Sequence, residues 1–147
     1  MKQFIFCSSL FLCSTLFGQK NGYDSVLAKK MGADDYGMKS YILVMLKTGP
    51  NLTKNQHFID SCFDGHMQNM GVMVKANQLV VAGPIAKNDK TYRGIFILNL
   101  TDKLAAEKLL QTDPAIHAGL LTAELYQWYG SAALPAYLPI AEKISKH

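Results

Sequence analysis

Short apolar runs and longer amphipathic ones follow each other along the chain from Tyr41 onward. Tyr41-Ile42-Leu43-Val44-Met45-Leu46 is apolar at every position, the pattern of a strand covered on both faces. Thr48-Gly49-Pro50-Asn51 breaks it with turn-forming residues. A long helix is predicted next, from about Lys54 to Ala76, started by Thr53 with Gln56 completing a capping box. At about 100° per residue, Ile59, Cys62, Phe63, Met67, Met70, Met73 and Val74 gather on one side of it, with His66 near the middle. His57, Asp60, Asp64, Gln68 and Lys75 point the other way.

Leu79-Val80-Val81-Ala82 is a second strand, ended by Gly83-Pro84 because proline cannot donate to a ladder. Tyr92 to Asn99 is a third, apolar without strict alternation and therefore central. Thr101 caps a second helix, about Asp102 to Gln111, whose Leu104, Ala105, Lys108 and Leu109 make its amphipathic side. Asp113-Pro114 ends that helix and starts one more short turn, with Asp113 as N-cap, Pro114 at the first position and Gly119 just past the end. The last strand, Leu121 to Tyr129, alternates as an edge strand does: Thr122, Glu124, Tyr126 and Trp128 share one face, Leu121, Ala123 and Leu125 the other. Beyond Gly130, Pro135 and Pro139 around Tyr137 and Leu138 predict a tail lying extended over a surface.

The order strand, helix, strand, strand, helix, strand with short connections is the α+β, ferredoxin-like βαββαβ arrangement, a four-stranded antiparallel sheet with two helices on one face. Because the central strands are apolar on both sides, the other face needs cover. A second copy packed sheet on sheet, making a homodimer, is the simplest.

Composition agrees with one globular domain: 147 residues, 49% hydrophobic and 18% charged. The beginning reads differently. Lys2 followed by the uncharged, mostly apolar run from Phe4 to Phe17 is a signal-peptide pattern, too short for a membrane span, with cleavage expected near Gly18 or Gln19. Lipidation at Cys13 does not fit, since Phe11 and Leu12 stand where small residues are wanted. The chain thus divides into a leader (1–19), a lead-in (20–39) with a short helical piece from Asp24 to Met31 stopped by Gly32, the domain (40–134) and a tail (135–147). The expected location is outside the cytoplasm, periplasmic or secreted, with no membrane span in the mature chain. Removing the leader takes Cys7 and Cys13 with it and leaves Cys62 alone among apolar neighbours, a small buried hydrophobe. The formal charge of +4 comes from scattered lysines, not the clustered face that nucleic acid requires, so no nucleic-acid partner is expected.

From Tyr41 to about Leu134 the chain resembles the YciI-like (YCII-related) family. The resemblance is carried, in order, by the strand Tyr41 to Leu46, by His66-Met67-Gln68-Asn69-Met70, and by Leu79-Val80-Val81-Ala82-Gly83-Pro84. The strand ending in Leu98 and Leu100 follows, then Asp113-Pro114-Ala115-Ile116-His117-Ala118-Gly119. The resemblance implies dimeric α/β barrels and an active pair of a helix histidine and the aspartate of the Asp-Pro motif, here His66 and Asp113. Where many members carry a basic residue a turn before that histidine, this sequence has Phe63. The leader and the stretch Trp128-Tyr129-Gly130-Ser131-Ala132-Ala133-Leu134 look like features of a secreted bacterial subgroup.

A histidine takes or gives a proton near neutral pH, and a carboxylate against its other nitrogen fixes the tautomer. Such a pair suits proton abstraction beside a carbonyl, followed by isomerisation or loss of a leaving group, with no cofactor. No serine or cysteine elbow points to covalent acyl transfer. Arg93, Tyr126 and Trp128 are the candidates to line a pocket for an unidentified small-molecule ligand. A metal site from Asp113, His117 and His66 is the poorer reading, because close-spaced ligand pairs are missing, His57 faces away and His147 is terminal. Against catalysis stands packing: a lone histidine on an apolar helix face is commonly a hydrogen-bonded core residue, and Asp113 has a sufficient role as a cap. The alternative function is a non-catalytic dimeric module of the cell envelope that binds a small ligand or serves in interactions.

Overall fold

The computed structural model describes residues 22–146. The leader, its cleavage point and His147 lie outside the described residues. The elements in order are α1 (Ser25–Met31), β1 (Met38–Thr48), α2 (Gln56–Lys75), β2 (Leu79–Pro84) and β3 (Tyr92–Leu98). Then follow α3 (Lys103–Leu110), α4 (Pro114–His117), β4 (Leu121–Ser131), a 3-10 turn (Leu134–Tyr137) and α5 (Leu138–Ile144).

The four strands form one sheet in the order β2-β3-β1-β4, with every neighbouring pair antiparallel. This is the ferredoxin-like arrangement. The two strands that carry the unbroken apolar runs, β1 with Tyr41 to Leu46 and β3 with Ile95 to Leu98, are the central ones, and the alternating β4 is an edge. Their side chains divide the sheet into two faces. Ile42, Val44 and Leu46 of β1, with Phe96 and Leu98 of β3, meet Cys62 and Met73 of α2, Ala106 and Leu110 of α3, and Ala115 and Ile116 of α4. Tyr41 and Ile97 point the other way and pack with Val80, Leu43 and Trp128.

That second face is covered in part by the chain itself. Leu134 packs on the cluster of Tyr41, Val80 and Ile97, and the Tyr137 hydroxyl donates to the Val80 carbonyl. The segment after β4 is therefore not extended as the two prolines suggested. Pro135 and Pro139 each occupy the first turn of a helical piece, where the missing N–H is no loss.

The helix starts differ from the expected ones by one or two residues. Asn55, not Thr53, caps α2, its side chain accepting from the Phe58 N–H at 3.2 Å. No capping box forms, because the Gln56 amide donates forward to Asp60 Oδ1 at 2.7 Å. Asp102, not Thr101, caps α3, accepting from the N–H groups of Leu104 and Ala105. With that start, α3 turns Ala106 and Leu110 inward, one turn apart, and leaves Leu104 66% exposed. On α2, Met67 (63% exposed) and Val74 (39%) lie at the margins of the predicted apolar side. The helix buries a narrower strip than its sequence offers.

Candidate functional site

His66 sits in the middle of α2 and is 9% exposed; Asp113 is fully buried at the start of α4. Two features of the chain bring them together. The Asp-Pro pair sets the axis of α4: Asp113 Oδ1 accepts from the N–H groups of Ala115 (2.9 Å) and Ile116 (3.3 Å), so the carboxylate is held by its own helix. Gly65 then lets α4 approach α2, since a Cβ there would lie 2.7 Å from Pro114 Cγ. The remaining oxygen, Asp113 Oδ2, stands 2.6 Å from His66 Nδ1.

A carboxylate only accepts hydrogen bonds, so Nδ1 carries a proton towards Asp113, and in the neutral imidazole Nε2 keeps its lone pair. The only buried polar side-chain atom without a partner among the described residues is Asn69 Oδ1. Nε2 has no hydrogen-bond partner among those residues, and His66 itself lines an open cleft. The imidazole plane is fixed by rings on two sides: Phe96 stacks at 5.8 Å between centroids with 19° between planes, and Phe63 approaches edge-on at 6.1 Å. One turn further along α2, Asn69 donates to the carbonyl and the hydroxyl of Thr112, at 3.1 and 3.0 Å, and so ties the helix to the residue before Asp113.

A cleft of about 440 Å³ opens beside the imidazole, between α2 and the ends of β2 and β3. Its walls are Phe63, Met67, Met70, Phe96 and Leu46 with the Ala82-Gly83-Pro84 backbone, and Arg93 stands among them. The exposed Met67 thus has a place on the cleft wall rather than in the core.

Of the three predicted pocket residues, Arg93 lines this cleft and the other two do not. Tyr126 pairs with Leu43 and Trp128 with Tyr41, which puts both on the second face of the sheet, away from His66. Trp128 lies 5.7 Å from the Tyr41 ring. The Tyr126 hydroxyl donates to Glu124, whose carboxylate also binds Lys47 at 2.8 Å. The Tyr126 phenol is raised above its ordinary range by the Glu124 carboxylate, and Glu124 is held below its own, first by Lys47 and then by Tyr126. This is a surface cluster on the far side of the sheet. The reason for the difference is that alternation in β4 shows which residues share a face but not which face the histidine reaches.

Among the described residues, no three His, Cys, Asp or Glu side chains come together as a metal-holding group. No helix among them is long and apolar enough to cross a membrane. Cys62 is buried with a free thiol. Gly65, Asn69 and Phe96 are contributors that the sequence reading did not single out. For Gly65 the available signal was a glycine inside a helical pattern, which costs about 1 kcal/mol relative to alanine and so calls for a packing reason.

No protein-family model matches the chain, and no curated protein matches it. Among solved structures, the chain is similar to 5-chloro-2-hydroxyhydroquinone dehydrochlorinase from Burkholderia phenoliruptrix AC1100 in complex with 2,5-dihydroxybenzoquinone. The identity is 20% and the TM-score 0.41, over 59% of this chain and 92% of that chain.

Proposed function

We propose that His66 and Asp113 form an acid–base pair of a small-molecule lyase or isomerase that needs no cofactor. The observation that carries this reading is the 2.6 Å contact between His66 Nδ1 and Asp113 Oδ2 with Nε2 left free beside an apolar cleft. Nε2 removes a proton next to a substrate carbonyl, and the buried carboxylate stabilises the imidazolium so formed. Returning the proton elsewhere on the substrate completes an isomerisation; expelling a leaving group completes an elimination. Arg93 holds the substrate. The ordered motifs from Tyr41 to Gly119 support a place in the YciI-like family, and the leader pattern of residues 1–19 supports export. A homodimer would use the part of the second sheet face left by the C-terminal segment, where Tyr126 is half exposed.

A second reading has its own support. Asp113 has both oxygens engaged and His66 is stacked on Phe96, as in a purely structural pair of a ligand-binding module. The experiment that separates the two is NMR of the His66 ring nitrogens during ligand titration. Proton transfer requires a ligand-dependent change in imidazole protonation that disappears in Asp113→Ala. Ligand binding that survives both His66→Ala and Asp113→Ala, with only stability lost, sinks the catalytic reading.

A further inference from the structure

The cleft beside His66 is apolar almost throughout, and its two ionisable linings are His66 and Arg93. No carboxylate lines it, because Asp113 lies behind the imidazole with both oxygens in use. Arg93 reaches this position through an irregularity in the sheet. Leu46 pairs with Gly94 and Lys47 with Tyr92, so Arg93 has no partner across β1, and such a bulge re-aims the side chain. The guanidinium forms no ion pair among the described residues. The adjoining hollow that Arg93 also lines has Lys87 on its border and, again, no acidic side chain.

We infer, on the acid–base reading above, that the cleft takes an organic carboxylate, its apolar body among Phe63, Met67, Met70 and Phe96 and its carboxylate on Arg93. A planar guanidinium fork matches a carboxylate with two parallel hydrogen bonds, and next to apolar walls such a charge-assisted pair gains strength. A cationic ligand would meet the Arg93 guanidinium with no carboxylate on the cleft wall to compensate it. A neutral one would gain the apolar contacts but leave the guanidinium with water alone. The volume, about 440 Å³, is that of a pocket for one small molecule.

The test titrates the full chain with benzoate, benzamide and benzylamine, following the Met67 and Met70 methyl signals by NMR. Benzoate is expected to shift both methyls saturably and to bind about tenfold more tightly than benzamide, the scale of one charge-assisted pair. In Arg93→Gln that preference disappears while benzamide binding stays as it was. Absence of a saturable benzoate shift overturns the inference, as does equal binding of benzamide or benzylamine, or a benzoate preference that survives Arg93→Gln. Asp113→Asn keeps this result apart from the catalytic reading. A benzoate preference intact there and in the native protein, without any ligand-dependent change at His66, sinks proton transfer and leaves the carboxylate site standing. A change at His66 without the preference does the reverse.

Discussion

Gly65 and Pro114 are in closer contact than any other residue type at position 65 would allow: the place of a Cβ on Gly65 is 2.7 Å from Pro114 Cγ and 3.2 Å from Pro114 Cβ. The proline ring cannot swing aside as the end of a flexible side chain could. The site therefore depends on a hydrogen atom at Gly65, one residue before the histidine.

Gly65→Ala sets two effects against each other. Alanine favours the helix by about 1 kcal/mol over glycine. Overpacking against the proline ring costs about 1–3 kcal/mol. The α2–α4 contact is pushed apart, so the expected net result is a loss of stability in urea together with a longer His66–Asp113 distance. A variant that gains stability and keeps the NMR signature of a protonated Nδ1 would show that α4 shifts at no cost.

Asp113 does two jobs with its two oxygens, and substitutions divide them. Asp113→Ala removes the cap, about 1 kcal/mol, and leaves the buried Nδ1–H without an acceptor, about 1–3 kcal/mol more. Asp113→Asn keeps an oxygen for the Ala115 and Ile116 N–H groups, so α4 persists. Its amide nitrogen, turned toward Nδ1, can only donate and forces the other tautomer, with the proton on Nε2. The expected outcome is a near-native urea midpoint for Asn, a clear loss for Ala, and a base function absent from both. Turnover persisting in Asp113→Asn would be incompatible with the tautomer argument.

How far these features could be read in the sequence depends on their range. The uninterrupted apolar runs of β1 and β3 report burial on both sides directly, and Asp113-Pro114 with Gly119 just past the helix is a local signal; Gly119 does adopt a left-handed φ of 72°. The helix starts were shifted because Thr53 and Asn55, or Thr101 and Asp102, are all competent caps, and the neighbouring turns decide between them. Thr53 is itself held in the preceding turn, its N–H donating to Asn51 Oδ1. Tyr126 and Trp128 were correctly placed together on one face, but which face meets α2 is a tertiary matter. The contact of Gly65 with Pro114 joins two helices and leaves no local pattern at all.

The lead-in is fastened to the edge strand by a tie whose pH dependence has a definite sign. Asp34 is held below the ordinary carboxylate range, chiefly by the hydrogen bond from the Tyr129 hydroxyl and then by the Met38 N–H. A depressed folded value means that the tie is complete above the unfolded carboxylate value, about 4, and is lost as pH falls through the lower folded value. On the alkaline side the Tyr129 phenol is raised, chiefly by Asp34, so the donor is kept until pH passes above the ordinary phenol value of about 10. Hydrogen exchange at Tyr36 and Met38 is expected to be unchanged between about pH 5 and pH 9 after correction for intrinsic rates, and to quicken in acid. In Tyr129→Phe the protection at Met38 should fall at every pH, and a Phe variant with native protection would assign the tie to the Asp34 turn alone.

The second face of the sheet yields the last expectation. Leu134 and Tyr137 cover the cluster of Tyr41, Val80 and Ile97, whereas Tyr126, on the same face at the β4 edge, stays half exposed. A partner subunit packed on this face would therefore compete with the C-terminal segment for one end of it and not for the other. Removing residues 134–147 uncovers Tyr41, Val80 and Ile97 and takes away the hydrogen bond to the Val80 carbonyl. Uncovered apolar area is worth about 25 cal/mol per Å², so the monomer loses stability while the gain from pairing two sheets rises. Sedimentation of the shortened chain is expected to show tighter self-association than that of the intact one, together with a lower urea midpoint extrapolated to high dilution. If shortening leaves association unchanged, pairing uses only the Tyr126 end of that face, and Tyr126→Lys in the intact chain should then abolish it.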